Sequence, residues 1–155
     1  MKIVYTIIAI ITVSFCHAQG SWKFSVNPKE VVAGHDTYVK IEVTLSPGWG
    51  LFSSDFSAPI GPLPTSIELT PDSSFVLLGN MKPINALSAL DRSFEVKYNY
   101  FKDKAEFLLP IRIKNSSFQV RGVIRGQYFL LVNHQVVDFE IPIDLSTAPA
   151  PLTLR

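Results

Sequence analysis

From Trp22 to Leu145 apolar residues recur at every second position, in short runs punctuated by Gly, Pro, Asn and Asp. Successive side chains of a strand point to opposite faces, so this spacing suits a sheet with one buried face and does not line one side of a helix. Trp22, Phe24 and Val26 make the first run, and Asn27-Pro28 ends it. Val39, Ile41, Val43 and Leu45 make the second, between turns at Gly34-His35-Asp36 and Pro47-Gly48. Ala58 to Pro64 reads as a Pro/Gly loop. Ile67 with Leu69, and Phe75 to Leu78, read as two further short strands, and Met81 to Leu90 as a loop or one helical turn.

Two hairpins follow from register. A two-residue turn at Lys102-Asp103 pairs Tyr100 with Ala105, Tyr98 with Phe107, Val96 with Leu109 and Phe94 with Ile111. A turn at Asn133-His134 pairs Leu130 with Val137, Tyr128 with Phe139 and Ile124 with Ile143. Directly opposed residues share a face, so each register puts both apolar stripes on one side. Phe129 and Leu131 then fall on the other face, which calls for a covering loop or a contact surface. Pro110 and Pro142 lie inside these runs and mark edges or bulges, because proline donates nothing to a ladder. The expectation is an all-β, immunoglobulin-like sandwich of about seven to nine strands. A closed barrel is the alternative, and the prolines argue against it. The domain is expected over residues 19–145, with 146–155 an extended or disordered Pro/Ala-rich tail.

The first residues break the pattern. Lys2 precedes an apolar run from Ile3 to Phe15, and Cys16-His17-Ala18 ends on small residues at −3 and −1. Residues 1–18 read as a secretory signal peptide cleaved between Ala18 and Gln19. The run is shorter than the roughly 20 residues a bilayer span takes, so no span is expected after cleavage. Two rival readings stand beside it: an uncleaved anchor, against which the short run and the small residues at the cleavage site argue, and a lipoprotein acylated on Cys16, which requires a small residue where Phe15 stands. The chain is expected in the periplasm or secreted. Cys16 is the single cysteine of the sequence, and cleavage removes it, so burial and strand pairing must replace disulfides.

Little in the remainder points to chemistry. With a net charge of +1 and 17% charged residues, no basic patch invites nucleic acid. No Gly-x-Ser-x-Gly elbow occurs. His35 and His134 both fall in turns and read as solvated turn residues. With no cysteine or carboxylate cluster beside them they make no zinc site. Asp55, Asp72, Asp91 and Asp103 lack the spacing of a calcium loop. Asn115-Ser116-Ser117 reads as a turn. No catalytic residue, metal or cofactor is assigned. Trp49, Phe52 and Phe56 cluster after Leu45, where they read first as caps on the core and second as partner contacts.

Several motifs occur in a familiar order: Trp22-Lys23-Phe24, then Ser46-Pro47-Gly48-Trp49-Gly50-Leu51-Phe52-Ser53, Gly61-Pro62-Leu63-Pro64-Thr65, Leu78-Gly79, Glu95-Val96-Lys97-Tyr98 with Phe101, and Val120-Arg121-Gly122. From about Trp22 to Leu145 the chain resembles the N-terminal periplasmic domain of DsbD-type thiol:disulfide interchange proteins, particularly the shorter forms of Bacteroidetes. The resemblance implies an immunoglobulin-like sandwich. The family's activity rests on two cysteines in a Cys-Asn-Asp-x-x-Cys-Leu-Pro-Pro type segment before the last strand. Here that segment is Phe129-Leu130-Leu131-Val132-Asn133-His134-Gln135-Val136-Val137, and neither cysteine is present. Thiol–disulfide exchange needs a thiolate attacking sulfur, so the redox role transfers to no residue. The reading is a non-catalytic module that binds a protein of the cell envelope, with Trp49, Phe52, Phe129, Leu131 and His134 as candidate contacts. A docking accessory of disulfide or cytochrome maturation is the second reading, and an enzyme using His35 or His134 the third.

Overall fold

The structure is a computed structural model that describes residues 13–16, 19–27 and 30–146. Its twelve described strands are β1 (Val13–Cys16), β2 (Gly20–Val26), β3 (Asp36–Leu45), β4 (Trp49–Phe52), β5 (Ser66–Leu69), β6 (Phe75–Leu77), β7 (Lys82–Pro83), β8 (Leu87–Asp91), β9 (Val96–Lys102), β10 (Lys104–Ile113), β11 (Gln119–Leu130) and β12 (Val136–Ser146). The count exceeds the expected seven to nine because β6 and β7 are fragments laid along β10, and β1 lies inside the expected leader. Met81 to Leu90 holds β7 and the start of β8 rather than a helical turn. Residues 1–12 and 17–18 of the expected signal peptide, and 147–155 of the expected tail, lie outside the described residues.

All pairings are antiparallel, in the order β1-β2-β3-β10-β9-β4-β11-β12, with β6 and β7 on β10, β8 on β9 and β5 on β11. The path folds over on itself as an immunoglobulin-like β-sandwich. One layer holds β2, β3 and β10, the other β9, β4, β11 and β12. Alternation decides which side chains go between them. Trp22, Phe24, Ile41, Phe107, Leu109, Ile111, Val120, Ile124 and Ile141 are fully covered there. At about 25 cal/mol per Å² of apolar surface, such residues supply most of the driving force. Trp22 and Tyr128 tie the layers together: the indole N–H donates to the phenol oxygen at 2.5 Å across the core.

The two expected hairpins fare differently. β11 pairs with β12, but Tyr128 lies opposite Val137, Ile124 opposite Ile141 and Gly126 opposite Phe139, two residues from the expected register. A slip of two keeps every side chain on its face, so the interior stripe is as expected. The slip lengthens the connection. Leu130 N–H reaches Gln135 O, His134 N–H reaches Leu130 O, and His134 takes the left-handed conformation at φ 61°.

The Lys102-Asp103 hairpin is not a hairpin beyond its tip. Only Lys102 and Lys104 pair, around Asp103 at φ 66°. β10 then pairs with β3, and β9 with β4 and β8. The strands part into different layers, and Tyr98 faces Ala89 instead of Phe107. Phe94 leaves the stripe for the turn between β8 and β9. Pro110 marks no edge: β10 is interior, with Pro110 opposite Tyr38 on one side and the break between β6 and β7 on the other. Pro142 does lie on an outer strand, β12.

Candidate interaction site at the tip of the sandwich

β4 is apolar on both faces. Leu51 lies opposite Phe101 and Tyr128 and joins the interior. Its neighbours Gly50 and Phe52 face the other way, opposite Phe129 and Tyr100 respectively. The outer face of this layer therefore carries an aromatic group of Phe52, Tyr98, Tyr100 and Phe129. Phe52 stacks on Phe129 with centroids 4.4 Å apart, and Tyr98 meets both edge-on at 5.4 and 6.3 Å. Such geometry adds about 0.5–1.5 kcal/mol per pair beyond burial. A side chain at 50 would displace the Phe129 ring, because a Cβ there would stand 2.5 Å from it.

A loop covers the group. Leaving β4, Ser53 N–H bonds to Asn99 O, and Thr65 N–H returns to Ser53 O. Between them Phe56 packs against Phe52 and Tyr98, and Leu63 N–H is held by the Gln127 side chain. The turn after β8 closes over one side. Asp91 Oδ1 accepts the N–H groups of Ser93 and Phe94, and Glu95 at φ 55° turns the chain back. This clamp lays Phe94, 51% exposed, over Gly61 at φ 108°.

Between this turn and the β11–β12 hairpin lies a cavity of about 410 Å³, lined by Phe52, Phe94, Tyr98, Gln127, His134 and Val136 among others. Phe94 and Val136 give it exposed apolar walls, at 51% and 47%, and Asp91, Gln127 and His134 add polar groups. Burial raises the pKa of the Tyr98 hydroxyl, and the neighbouring Tyr100 and Asp91 add to it, so the phenol stays protonated well above neutrality. A larger cavity of about 620 Å³ lies beside Arg125 and Glu140. Its cation is already engaged by Glu140 and Glu68.

Of the expected contacts, Phe52 and Phe129 are buried at 4% and 2%; Phe52 lines the cavity, and Phe129 stacks on Phe52. Leu131 is half-buried against them, and His134 is exposed with its ring 6.1 Å from Phe129. Trp49 is half-buried on β4 opposite Leu130 and packs on the interior core, apart from the others. His35 precedes β3 at the end remote from the tip, since Leu45, the other end of β3, is the residue that bonds to Asp103. The two histidines are not brought together. Among the described residues no three His, Cys, Asp or Glu side chains gather as a metal set, and no helix is long and apolar enough to cross a membrane.

Alternation missed Phe94, Tyr98 and Tyr100 as members of this site. The signal that finds Tyr100 is adjacency, and Tyr98 follows two residues earlier on the same face of β9; Phe94, in a turn, carries no such signal. Leu51-Phe52, Tyr100-Phe101 and Tyr128-Phe129 are consecutive apolar pairs, and in a strand these must bury both faces.

No protein-family model and no curated protein matches the sequence. Solved structures do match. The N-terminal periplasmic domain of ScsB from Proteus mirabilis is 14% identical, with a TM-score of 0.58, over 90% of this chain and 52% of that one. The chain thus spans about half that structure's length. The complex between the DsbD N-terminal and PilB N-terminal domains from Neisseria meningitidis matches at 10% identity and a TM-score of 0.51, over 84% and 89% of the two chains. The GAE domain of GGA2p from Saccharomyces cerevisiae matches at 12% and 0.50, over 90% and 100%. The chain therefore has the fold of DsbD- and ScsB-type N-terminal domains, and at these identities the likeness is one of fold. With one cysteine in its sequence, it has no redox pair of its own.

Proposed function

We propose that the chain is an exported, non-catalytic sandwich module that binds a protein of the cell envelope through its aromatic tip. The observation carrying this is the cavity between Phe94 and Val136: exposed apolar side chains beside an aromatic floor of Phe52 and Tyr98. Aromatic anchors in water-excluding surroundings are what protein interfaces concentrate. The segment that resembles the family's cysteine-bearing stretch, Phe129 to Val137, forms one wall, so a docking surface without redox chemistry fits the residues present. The test is capture from envelope extract by wild type, Leu131→Asp and Val136→Asp, each first shown to unfold cooperatively. A partner recovered by wild type and lost by both variants supports the reading, and identical recovery by all three sinks it.

A docking accessory to disulfide or cytochrome maturation is the narrower reading. It draws on one structural neighbour being a complex of two domains. Calorimetry against a thioredoxin-like domain separates the two: heat of binding that Val136→Asp abolishes favours the accessory role, and no heat leaves the general one.

A further inference from the structure

We infer that the outer edge of β2 is a strand-acceptor site, filled by the chain's own residues Val13–Cys16 in the uncleaved chain and open after cleavage to an extended partner segment with apolar residues at alternate positions. The inference rests on the export reading and is independent of the tip.

β1 lies antiparallel on β2, with Val13 opposite Phe24, Ser14 opposite Lys23, Phe15 opposite Trp22 and Cys16 opposite Ser21. The edge thus takes a strand in continuous register. Cleavage after Ala18 removes that strand and leaves a row of N–H and C=O groups without partners, which is what draws another strand to a sheet. Natural edges are guarded by proline, bulges or charge. β12, at the opposite end of the strand order, has such guards in Pro142 and the exposed Asp138, Glu140 and Asp144. β2 has neither proline nor bulge: it pairs residue for residue with β3 from Gly20–Leu45 to Val26–Val39, and its one charge is Lys23.

The surroundings say what fits. β1 lies against β12 as well as β2, so the vacated lane is walled on both sides. The two flanking strands meet through aromatic core side chains, with Trp22 of β2 and Phe139 of β12 5.2 Å apart. A lane one strand wide admits an extended segment and resists the edge of a second folded sandwich. The positions opposite Trp22 and Phe24 are those Phe15 and Val13 hold, which sets the alternation the occupant needs.

The experiment starts from the exported chain recovered from the envelope, its intact mass giving the N-terminus. The probe is a synthetic peptide of residues 11–18 carrying Cys16→Ser, read by amide hydrogen exchange. Saturating peptide slows exchange in β2 by about tenfold or more without slowing β8 and β9. N-methylation of alternate peptide amides, in one of the two phases, removes the protection while keeping every side chain. Replacing both Val13 and Phe15 of the peptide by Ser weakens it. A mature chain that retains Val13–Cys16 overturns the export premise. A chain starting at Gln19 overturns the acceptor itself in any of three ways: β2 is not slowed, it is slowed equally by both N-methylated phases, or it is already protected because the chain self-associates. Peptide binding that survives Val136→Asp keeps this result separate from the tip.

Discussion

Tyr128 and Phe129 are neighbours on β11 and end on opposite faces of one layer. Tyr128 points inward, where a whole second layer covers it and Trp22 donates to its hydroxyl. Phe129 points outward and is nearly as buried, at 2%, but its cover is a loop, a turn and the rings of Phe52 and Tyr98. The first cluster is held by ladders that span the sheet. The second is held by a few latches, among them Leu63 to Gln127 and the Asp91 clamp. Equal burial therefore does not mean equal permanence. A surface that must open to meet a partner is better made from the second kind.

Phe107→Ala tests the interior most severely. It removes a fully covered ring that packs edge-on against Phe101 at 5.1 Å, and denaturant unfolding should show a loss of about 3–5 kcal/mol. Gly50→Ala acts on the tip. The Phe52–Phe129 stack must part, at a cost of about 1–3 kcal/mol, and exchange should quicken in β8 and β9 while β3 and β10 keep their relative protection. If all four strands quicken together, the two clusters form one cooperative unit and are equally permanent.

Tyr128→Phe leaves the Trp22 N–H buried without its acceptor and should cost about 1–2 kcal/mol. It also sharpens a pH effect. Burial raises the Tyr128 pKa above its ordinary value of 10.0, and the Trp22 hydrogen bond opposes this in part. The neutral phenol is thus favoured in the folded state. Its contribution is complete below the unfolded pKa and is lost as pH rises through the folded one. Wild type should lose stability above about pH 10 more steeply than Tyr128→Phe, as followed by thermal melts across that range. The smallest effect belongs to Asp36→Asn. The exposed Arg112 guanidinium bonds to Asp36 and lowers its pKa, so any contribution is present above the ordinary carboxylate range and fades as pH falls. The melting midpoint should stay within scatter of wild type, since exposed pairs count for little.

The interior stripes of β2, β3, β10, β11 and β12 were legible from alternation because parity alone assigns a face. This is why a two-residue error in the β11–β12 register cost nothing. The β9–β10 register failed for a different reason. Opposed-pair arithmetic finds a consistent partner for a stripe but cannot say whether that partner is its neighbour. Val96 to Lys102 could satisfy its apolar face against β10, yet β4 and β8 pair along its two edges and leave β10 free for β3.

By itself the sequence determined that this chain is all-β, which residues of its long strands face inward, and that a single cysteine leaves it no disulfide to exchange. Those are local properties, set by period, parity and residue type. Only the tertiary structure decided that Phe52, Tyr98 and Phe129 share an outer face, that Phe94 is clamped above them, and that residues Val13–Cys16 fill the edge of β2. Each of these depends on which strands become neighbours, and that is settled by competition among many compatible pairings for the apolar surface they bury together.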